Sequence, residues 1–199
     1  MIHSALQYLT HELNEYLKLR VDASESDEMI SLTSVANEDG VVIPDKSLGL
    51  SLINIEEERI FKDQIADFQN EAGLTERRNP DLKLNLYILI SANFQGSTSH
   101  TSADYAEGLK QLSYVIAFFQ ARNVFTAGNS PSMADYDLEI RKLIVELYSY
   151  SFEQLYNFWT VVGTNYLPSV LYKVRLLTIQ ERAIQDTSAP IEKIGIHTG

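Results

Sequence analysis

The stretch LYNFWTVVGTNYLPSVLYKVRLL, residues Leu155 to Leu177, changes its hydrophobic period halfway along. Before Gly163 the apolar residues fall at helical spacing, and after Pro168 they alternate as in a strand. The segment Ser151-Phe-Glu-Gln154 has the pattern of a capping box, and glycine suits the left-handed residue that ends a helix. We therefore predict a short helix that leads directly into a strand, so the chain combines both kinds of element.

The other strands are predicted from alternation upstream of this joint. Leu82 to Phe94 alternates most regularly, which predicts a strand at the centre of a sheet. Further strands are predicted at Met29–Val35, Leu48–Ile60, Leu138–Tyr150 and Ser169–Ile179. In contrast, Phe61–Pro80 is polar and irregular, so we predict a surface loop or a short helix there.

Two long amphipathic helices complete the predicted elements. The first carries apolar residues at intervals of three and four, namely Ile2, Leu6, Leu9, Leu13 and Leu17. The second begins at Thr101 or Ser102 and carries Tyr105, Leu109, Leu112, Ile116 and Phe119. We predict a flexible loop over Thr126–Asp137.

The order of these elements predicts an α+β fold in a single domain. Its sheet would be mixed or antiparallel, with about four to five strands, flanked by two long helices and one short helix. We place the domain at residues 1–180 and a polar C-terminal tail or arm at 181–199.

Composition narrows the possible functions. The net charge of −11 opposes nucleic-acid binding, which needs clustered basic residues. The chain has no cysteines, so disulfides and thiolate metal sites are excluded. The N-terminus lacks a signal-peptide pattern, and no apolar run approaches the roughly 18 residues of a membrane span. We expect a cytoplasmic protein without direct membrane insertion.

Histidines and nucleophile motifs give no sign of catalysis. His3 and His11 are eight residues apart, so they do not form the four-apart pair of a helical metal site, and we interpret them with His100 and His197 as ordinary surface histidines. Neither the phosphate-binding nor the dinucleotide-binding glycine motif is present. We expect no enzyme activity, no metal and no cofactor.

The acidic cluster that could act as a metal or acid–base site is Glu56, Glu57 and Glu58. Side chains alternate along a strand, so only Glu56 and Glu58 could converge. The favoured interpretation is a solvated strand end or a salt-bridge rim between subunits. A small metal-dependent hydrolase that uses Glu56, Glu58 and His100 is the alternative.

Aromatic residues crowd the short helix. Phe152, Leu155, Tyr156 and Trp159 are predicted to share one stripe, with Phe158 and Val162 off it. Core packing is the simpler interpretation. However, the helix has more apolar surface than one sheet can cover, which indicates that part of it meets another subunit.

The C-terminal tail contains three late apolar residues, Ile191, Ile194 and Ile196. Two interpretations stay open. The tail is either a frayed terminus or an arm that adds an edge strand to a neighbour's sheet.

Several segments, in this order, resemble the tail-terminator or cap subunits of phage-tail-like contractile injection systems, of the antifeeding-prophage and virulence-cassette type. The likeness runs from about residue 1 to residue 180, and the tryptophan helix with the strand after it is its strongest element. The segments are Ile2–Arg20, Leu50–Arg59, Asn79-Pro80 leading into Leu84–Ile90, the helix with Leu109 and Leu112, and Trp159 through Gly163 to Pro168–Tyr172.

The resemblance implies a structural protein, not an enzyme. Such a subunit would form a ring, a homo-hexamer, that ends polymerisation of the inner tube and the sheath and joins the two. Its partners would be copies of itself, the inner-tube protein and the sheath protein, and a second related cap subunit is left open. It would assemble in the cytoplasm and then occupy the distal end of the particle. A partner-binding adaptor that forms no ring is a further alternative.

The candidate interface residues follow from these arguments. They are Glu56, Glu58, Phe158, Trp159, Tyr166, Ile191, Ile194 and Ile196.

Overall fold

The computed structural model describes residues 1–21, 28–58, 66–69, 75–78, 83–94, 102–136, 140–178 and 186–188. Only the backbone is described for residues 66–69, 75–78, 177–178 and 186–188. The helices are α1 Ile2–Val21, α2 Ser102–Ala121, α3 Met133–Tyr136 and α4 Phe152–Val162. The first strands are β1 Ile30–Leu32, β2 Ala36–Asn37, β3 Gly40–Val41, β4 Ser47–Glu57, β5 Ala66–Gln69 and β6 Thr75–Arg78. The later strands are β7 Lys83–Asn93, β8 Val124–Thr126, β9 Ile140–Tyr148, β10 Ser169–Thr178 and β11 Asp186–Ser188.

The main sheet has six strands in the order β1-β4-β7-β10-β9-β8. All neighbouring pairs are antiparallel except β1 and β4, which are parallel. The strand with the clearest alternation, β7, lies inside the sheet between β4 and β10. The sheet is therefore mixed, as predicted, and has one or two strands more than expected.

Helices α1 and α2 cover one face of the sheet, which we call the inner face. Their apolar stripes pack with inward side chains of the strands, such as Ile88 and Ile90 of β7, in one large core. Asn14 of α1 ties the helix to β1, because its Nδ2 donates to the Ile30 carbonyl at 2.7 Å and its Oδ1 accepts from the Ile30 N–H at 3.0 Å. The amphipathic pattern of α1 is thus satisfied within the chain.

The opposite, outer face carries α4. Since side chains alternate along a strand, Leu89 faces away from Ile88 and Ile90. Leu89 belongs to a second, smaller buried cluster with Val35, Ile43, Trp159 and Leu167. The helix covers only one end of this face, and the other end carries polar and charged side chains.

A bulge in β4 changes which of its side chains reach the outer face. The pairing with β7 shifts between Leu52 and Asn54, after which Asn54 lies opposite Tyr87 and Glu56 opposite Asn85. Without this shift Glu56 would share the inward phase of Leu50 and Leu52. The bulge therefore places Glu56 on the outer face.

Two segments differ from the sequence-based expectation. Phe61–Pro80 was expected to be a loop or a short helix, but it contains β5 and β6, which form a second sheet in the order β11-β6-β5. The prediction failed because β6 reads Thr-Glu-Arg-Arg and has no apolar alternation. The loop predicted at Thr126–Asp137 includes the single turn α3.

The tail contributes β11, which pairs antiparallel with β6, with Asp186 opposite Arg77. The predicted interface residues Ile191, Ile194 and Ile196 lie outside the described residues, as do His100 and His197. In the described parts of the chain, no helix combines the length and apolarity needed to cross a membrane.

Candidate interaction surface

The ends of α4 are fixed by local hydrogen bonds. Ser151 Oγ accepts from the Gln154 N–H at 3.3 Å, and the Ser151 N–H donates to Gln154 Oε1 at 2.9 Å, which completes the predicted capping box. Gly163 has φ 72°, and its N–H donates to the Trp159 carbonyl at 3.1 Å. The start and the stop of the helix were both predicted correctly, and they set its position before β10.

The buried side of α4 differs from the stripe predicted above. Trp159 is the one buried residue of the helix, and Leu155, Phe158 and Val162 pack beside it against the outer face. The predicted grouping of Phe152 and Tyr156 with Trp159 is therefore wrong. The sequence offers two overlapping apolar rows at helical spacing, and the sheet contacts the row at 155, 158, 159 and 162.

The remaining apolar residues of α4 face solvent. Phe152 is 90% exposed and Tyr156 is 71% exposed, and they lie one turn apart on the same side of the helix. Val161, on another side, is 87% exposed. Exposed large apolar side chains that occur as a group mark interaction sites, whereas scattered ones need no explanation. We call Phe152, Tyr156 and Tyr166 the α4 surface.

Tyr166 continues this surface beyond the end of the helix. Its ring meets Trp159 edge-on with centroids 5.5 Å apart, and Trp159 in turn meets Phe158 at 5.4 Å. Burial raises the pKa of the Tyr166 hydroxyl, although its ring is about half exposed. Of the predicted interface residues here, Tyr166 is exposed to a partner, whereas Trp159 is buried and packs against the Tyr166 ring.

An apolar notch extends the surface towards β9. A cavity of about 180 Å³ lies between α4 and the outer face, and Phe158, Tyr148 and Leu171 are among the residues that line it. Tyr148, at the end of β9, is itself exposed. The exposed apolar area therefore runs from α4 to the end of β9 on the outer face.

Glu56 and Glu58 lie on the charged end of the outer face. Tyr87 Oη donates to Glu56 Oε2 at 2.9 Å, Asn54 Nδ2 donates to Glu56 Oε1 at 3.2 Å, and Asn85 Nδ2 donates to Glu58 Oε2 at 3.2 Å. Burial, followed by the bond to Glu56, raises the pKa of Tyr87 to about 12. Each carboxylate is thus held by neutral donors of its own chain.

The hydrolase alternative finds no assembled site in the part of the chain that the structure describes. No group of three or more His, Asp or Glu side chains is arranged there to hold a metal ion. His3 and His11 are exposed on α1, where the His11 ring lies 6.0 Å from the Tyr136 ring. The arrangement of the outer face suits contact with another macromolecule better than acid–base chemistry.

The sequence matches the model of the Pvc16 N-terminal domain family over residues 5–193. The chain therefore belongs to this family, and the resemblance to terminator subunits is confirmed. A search of curated proteins found no match.

Two solved structures share the α+β fold. The PVC sheath/tube terminator of an extracellular contractile injection system, in its extended state, is 14% identical with a TM-score of 0.61, and the match covers 100% of this chain and 63% of that chain. The tube-terminating cap of the anti-feeding prophage is 12% identical with a TM-score of 0.54, covering 96% and 60%. This chain thus spans less than two thirds of the length of these proteins.

Proposed function

We propose that this chain is a structural terminator subunit of a contractile injection system. In this role it forms a homo-oligomeric ring, a hexamer, at the distal end of the particle, where it stops growth of the inner tube and the sheath and joins them. Family membership and the fold shared with a sheath/tube terminator and a tube-terminating cap support the proposal. The observation that carries it is the exposed apolar α4 surface.

The α4 surface suits a ring because a ring is built from heterologous contacts, in which one patch of a subunit meets a different patch of the next. Phe152 and Tyr156 supply aromatic area, which is enriched at the centres of interfaces. Glu56 and Glu58 form the proposed salt-bridge rim of the same face. An adaptor that forms no ring remains the second candidate, and light scattering of the purified chain, alone and with tube ends, separates the two.

The ring would stop growth of the tube because its two surfaces differ. Each ring of a tube presents a surface that templates the next one. A terminator matches the tube with its lower surface and presents a different upper surface, so addition stops. Growth control of this kind needs no catalytic step.

The proposed contact with the sheath is strand addition by the C-terminal arm. Truncation after Arg182 would remove the arm but also β11, which pairs with β6. The sharper variant replaces Ile191, Ile194 and Ile196 by serine and leaves β11 in place. We expect this variant to fold and to co-sediment poorly with sheath. Unchanged co-sedimentation would remove the arm from the proposal.

The direct test compares injection particles made with and without this chain by negative-stain microscopy. Loss of the terminator should give tubes and sheaths of uncontrolled length. Particles of uniform, unchanged length in the absence of the chain would contradict the proposal.

A further inference from the structure

The end of the outer face that α4 leaves uncovered contains a groove with a basic rim. Its volume is about 220 Å³. The groove is lined by Glu58, Lys83, Leu84, Asn85, Lys142, Ile144, Arg175 and Leu176. We call it the basic groove. Neither the sequence motifs nor the proposed terminator role assigns it a function.

Strand register brings its central residues together. Arg175 of β10 lies opposite Asn85 of β7 on one side and opposite Ile144 of β9 on the other. Directly opposed residues point to the same face of a sheet. The groove is therefore built on three adjacent strands, which hold its central side chains in fixed positions.

The charge of the groove is opposite to that of the chain. Three cationic side chains and the Glu58 carboxylate line it, and the Glu146 carboxylate pairs with Arg175 beside it, so the groove keeps a small net positive charge whereas the whole chain carries −11. Arg175 uses Nη2 for Glu146, at 2.8 and 3.1 Å, which leaves its other N–H groups for a further acceptor. Lys142 has no acidic partner among the residues that the structure describes. The groove thus offers donors to an anionic group.

Asn85 offers an acceptor, whereas the cationic side chains of the groove offer donors. This side chain is only 4% exposed, and its Nδ2 donates to Glu58 Oε2, which fixes the amide orientation because a carboxylate only accepts. Its Oδ1 is buried and has no donor within the described structure. An acceptor left without a donor is unfavourable, so a ligand that brings an N–H group is favoured at this point.

We propose that the basic groove binds an extended acidic peptide segment of a partner protein. Carboxylates of the segment pair with Lys142 and Arg175, a backbone N–H donates to Asn85 Oδ1, and an intervening apolar side chain rests on Ile144. A nucleic acid backbone fits less well, because its phosphates provide no donor for Asn85 Oδ1. The groove shares Glu58 with the proposed rim of the ring contact, but peptide binding is measured on the isolated chain and would stand if the terminator role failed.

The test is calorimetric titration of the full chain with the blocked hexapeptide acetyl-Glu-Leu-Glu-Leu-Glu-Leu-amide. Its controls are the peptide with lysine in place of glutamate and a thymidine oligonucleotide. We expect the glutamate peptide to bind and both controls to bind much more weakly. Absence of binding at millimolar peptide, or equal binding of the two peptides, would overturn the proposal, and tighter binding of the oligonucleotide would replace it by a nucleic-acid site.

Variants locate the site. Lys142→Glu should weaken peptide binding about tenfold or more, because it removes a rim cation and adds repulsion. Lys110→Glu, the same charge change at an exposed position of α2, is the matched control and should bind as the unaltered chain does. If Lys142→Glu does not fold, Lys142→Gln replaces it with a smaller expected loss. Equal affinities of the variants at positions 142 and 110 would overturn the assignment.

Asn85→Leu tests the unpaired acceptor separately. It removes Oδ1 with little change of volume, so binding should weaken several-fold while the melting temperature is maintained or raised. Unaltered peptide affinity of a folded Asn85→Leu chain would show that the amide takes no part.

Discussion

Helices α1 and α4 pack on opposite faces of the same sheet, yet they differ in how much of their apolar surface their own chain buries. α1 has eight buried residues, from Ala5 to Leu17. α4 has the higher density of large apolar side chains, but only Trp159 is buried. The composition of α1 is explained by the inner core, whereas the contacts among the described residues do not explain that of α4, which fits the proposed contact with another subunit. A strongly apolar helix is therefore not by itself a sign of core.

The largest expected effect comes from the exposed side of α4. Phe152→Ser combined with Tyr156→Ser should abolish ring assembly and length control, because these side chains are 90% and 71% exposed and supply the aromatic centre of the proposed contact. The free energy of unfolding should change by no more than about 1 kcal/mol, since surface substitutions are usually small. Negative-stain length distributions and urea unfolding measure the two effects.

The matched control lies on α1. Leu19 is 85% exposed on a helix whose other side packs in the inner core, so Leu19→Ser removes an exposed apolar side chain away from α4. It should leave particle length unaltered. Equal loss of length control in both variants would mean that the contrast between the helices has no functional meaning.

The next effect concerns the buried side of α1. Leu9→Ala should lower the free energy of unfolding by about 2–5 kcal/mol, because Leu9 is fully buried and its truncation leaves a cavity. Val161→Ala on α4 should cost far less, since that side chain is mostly solvated. Urea titration of both variants checks the difference, and similar losses would show that α4 is packed as tightly as α1.

A smaller effect is expected where α4 ends. Gly163→Ala places a side chain on a residue with φ 72°, which should cost about 1–2 kcal/mol. Gly128→Ala is the control, because its added Cβ would meet only Thr126 Oγ1 at 3.8 Å and no positive φ is involved. Thermal unfolding of the two variants measures the cost. If Gly163→Ala is as stable as Gly128→Ala, the left-handed stop does not hold the helix end.

The smallest effect is a pH dependence at the charged end of the outer face. The pKa of Tyr87 is raised from 10.0 to about 12, so the folded state favours the neutral phenol that donates to Glu56. Its contribution to stability is complete below pH 10 and is lost as pH rises towards 12. The stability advantage of the unaltered chain over Tyr87→Phe should therefore shrink across this interval. A constant difference would show that folding does not raise the pKa of Tyr87.

Periodicity and end signals predicted most of the fold. The central strand β7, both long helices and the limits of α4 follow from alternation, helical spacing, Ser151 and Gly163. Strands β5 and β6 were not predicted, because a polar strand has no alternation of apolar residues. The β4 bulge was not predicted either, since nothing in the sequence shows that Ile53 interrupts the pairing with β7 between Leu52 and Asn54.

The candidate surface was predicted less completely than the fold. The surplus of apolar residues on α4 was evident from the sequence, but which row faces the sheet depends on packing with residues such as Leu89, which is far away in the chain. The basic groove was missed altogether. Lys83, Lys142 and Arg175 come from three separate strands, and only their pairing brings them together.

Hydroxyl-radical footprinting most directly tests the claim that a partner covers the α4 surface. Oxidation of Phe152 and Tyr156 would be compared between the isolated chain and intact injection particles that contain it, with Leu19 as an exposed reference. The account predicts that both aromatic residues are protected in the particle while Leu19 keeps its reactivity. Equal oxidation of Phe152 and Tyr156 in the two samples would contradict it.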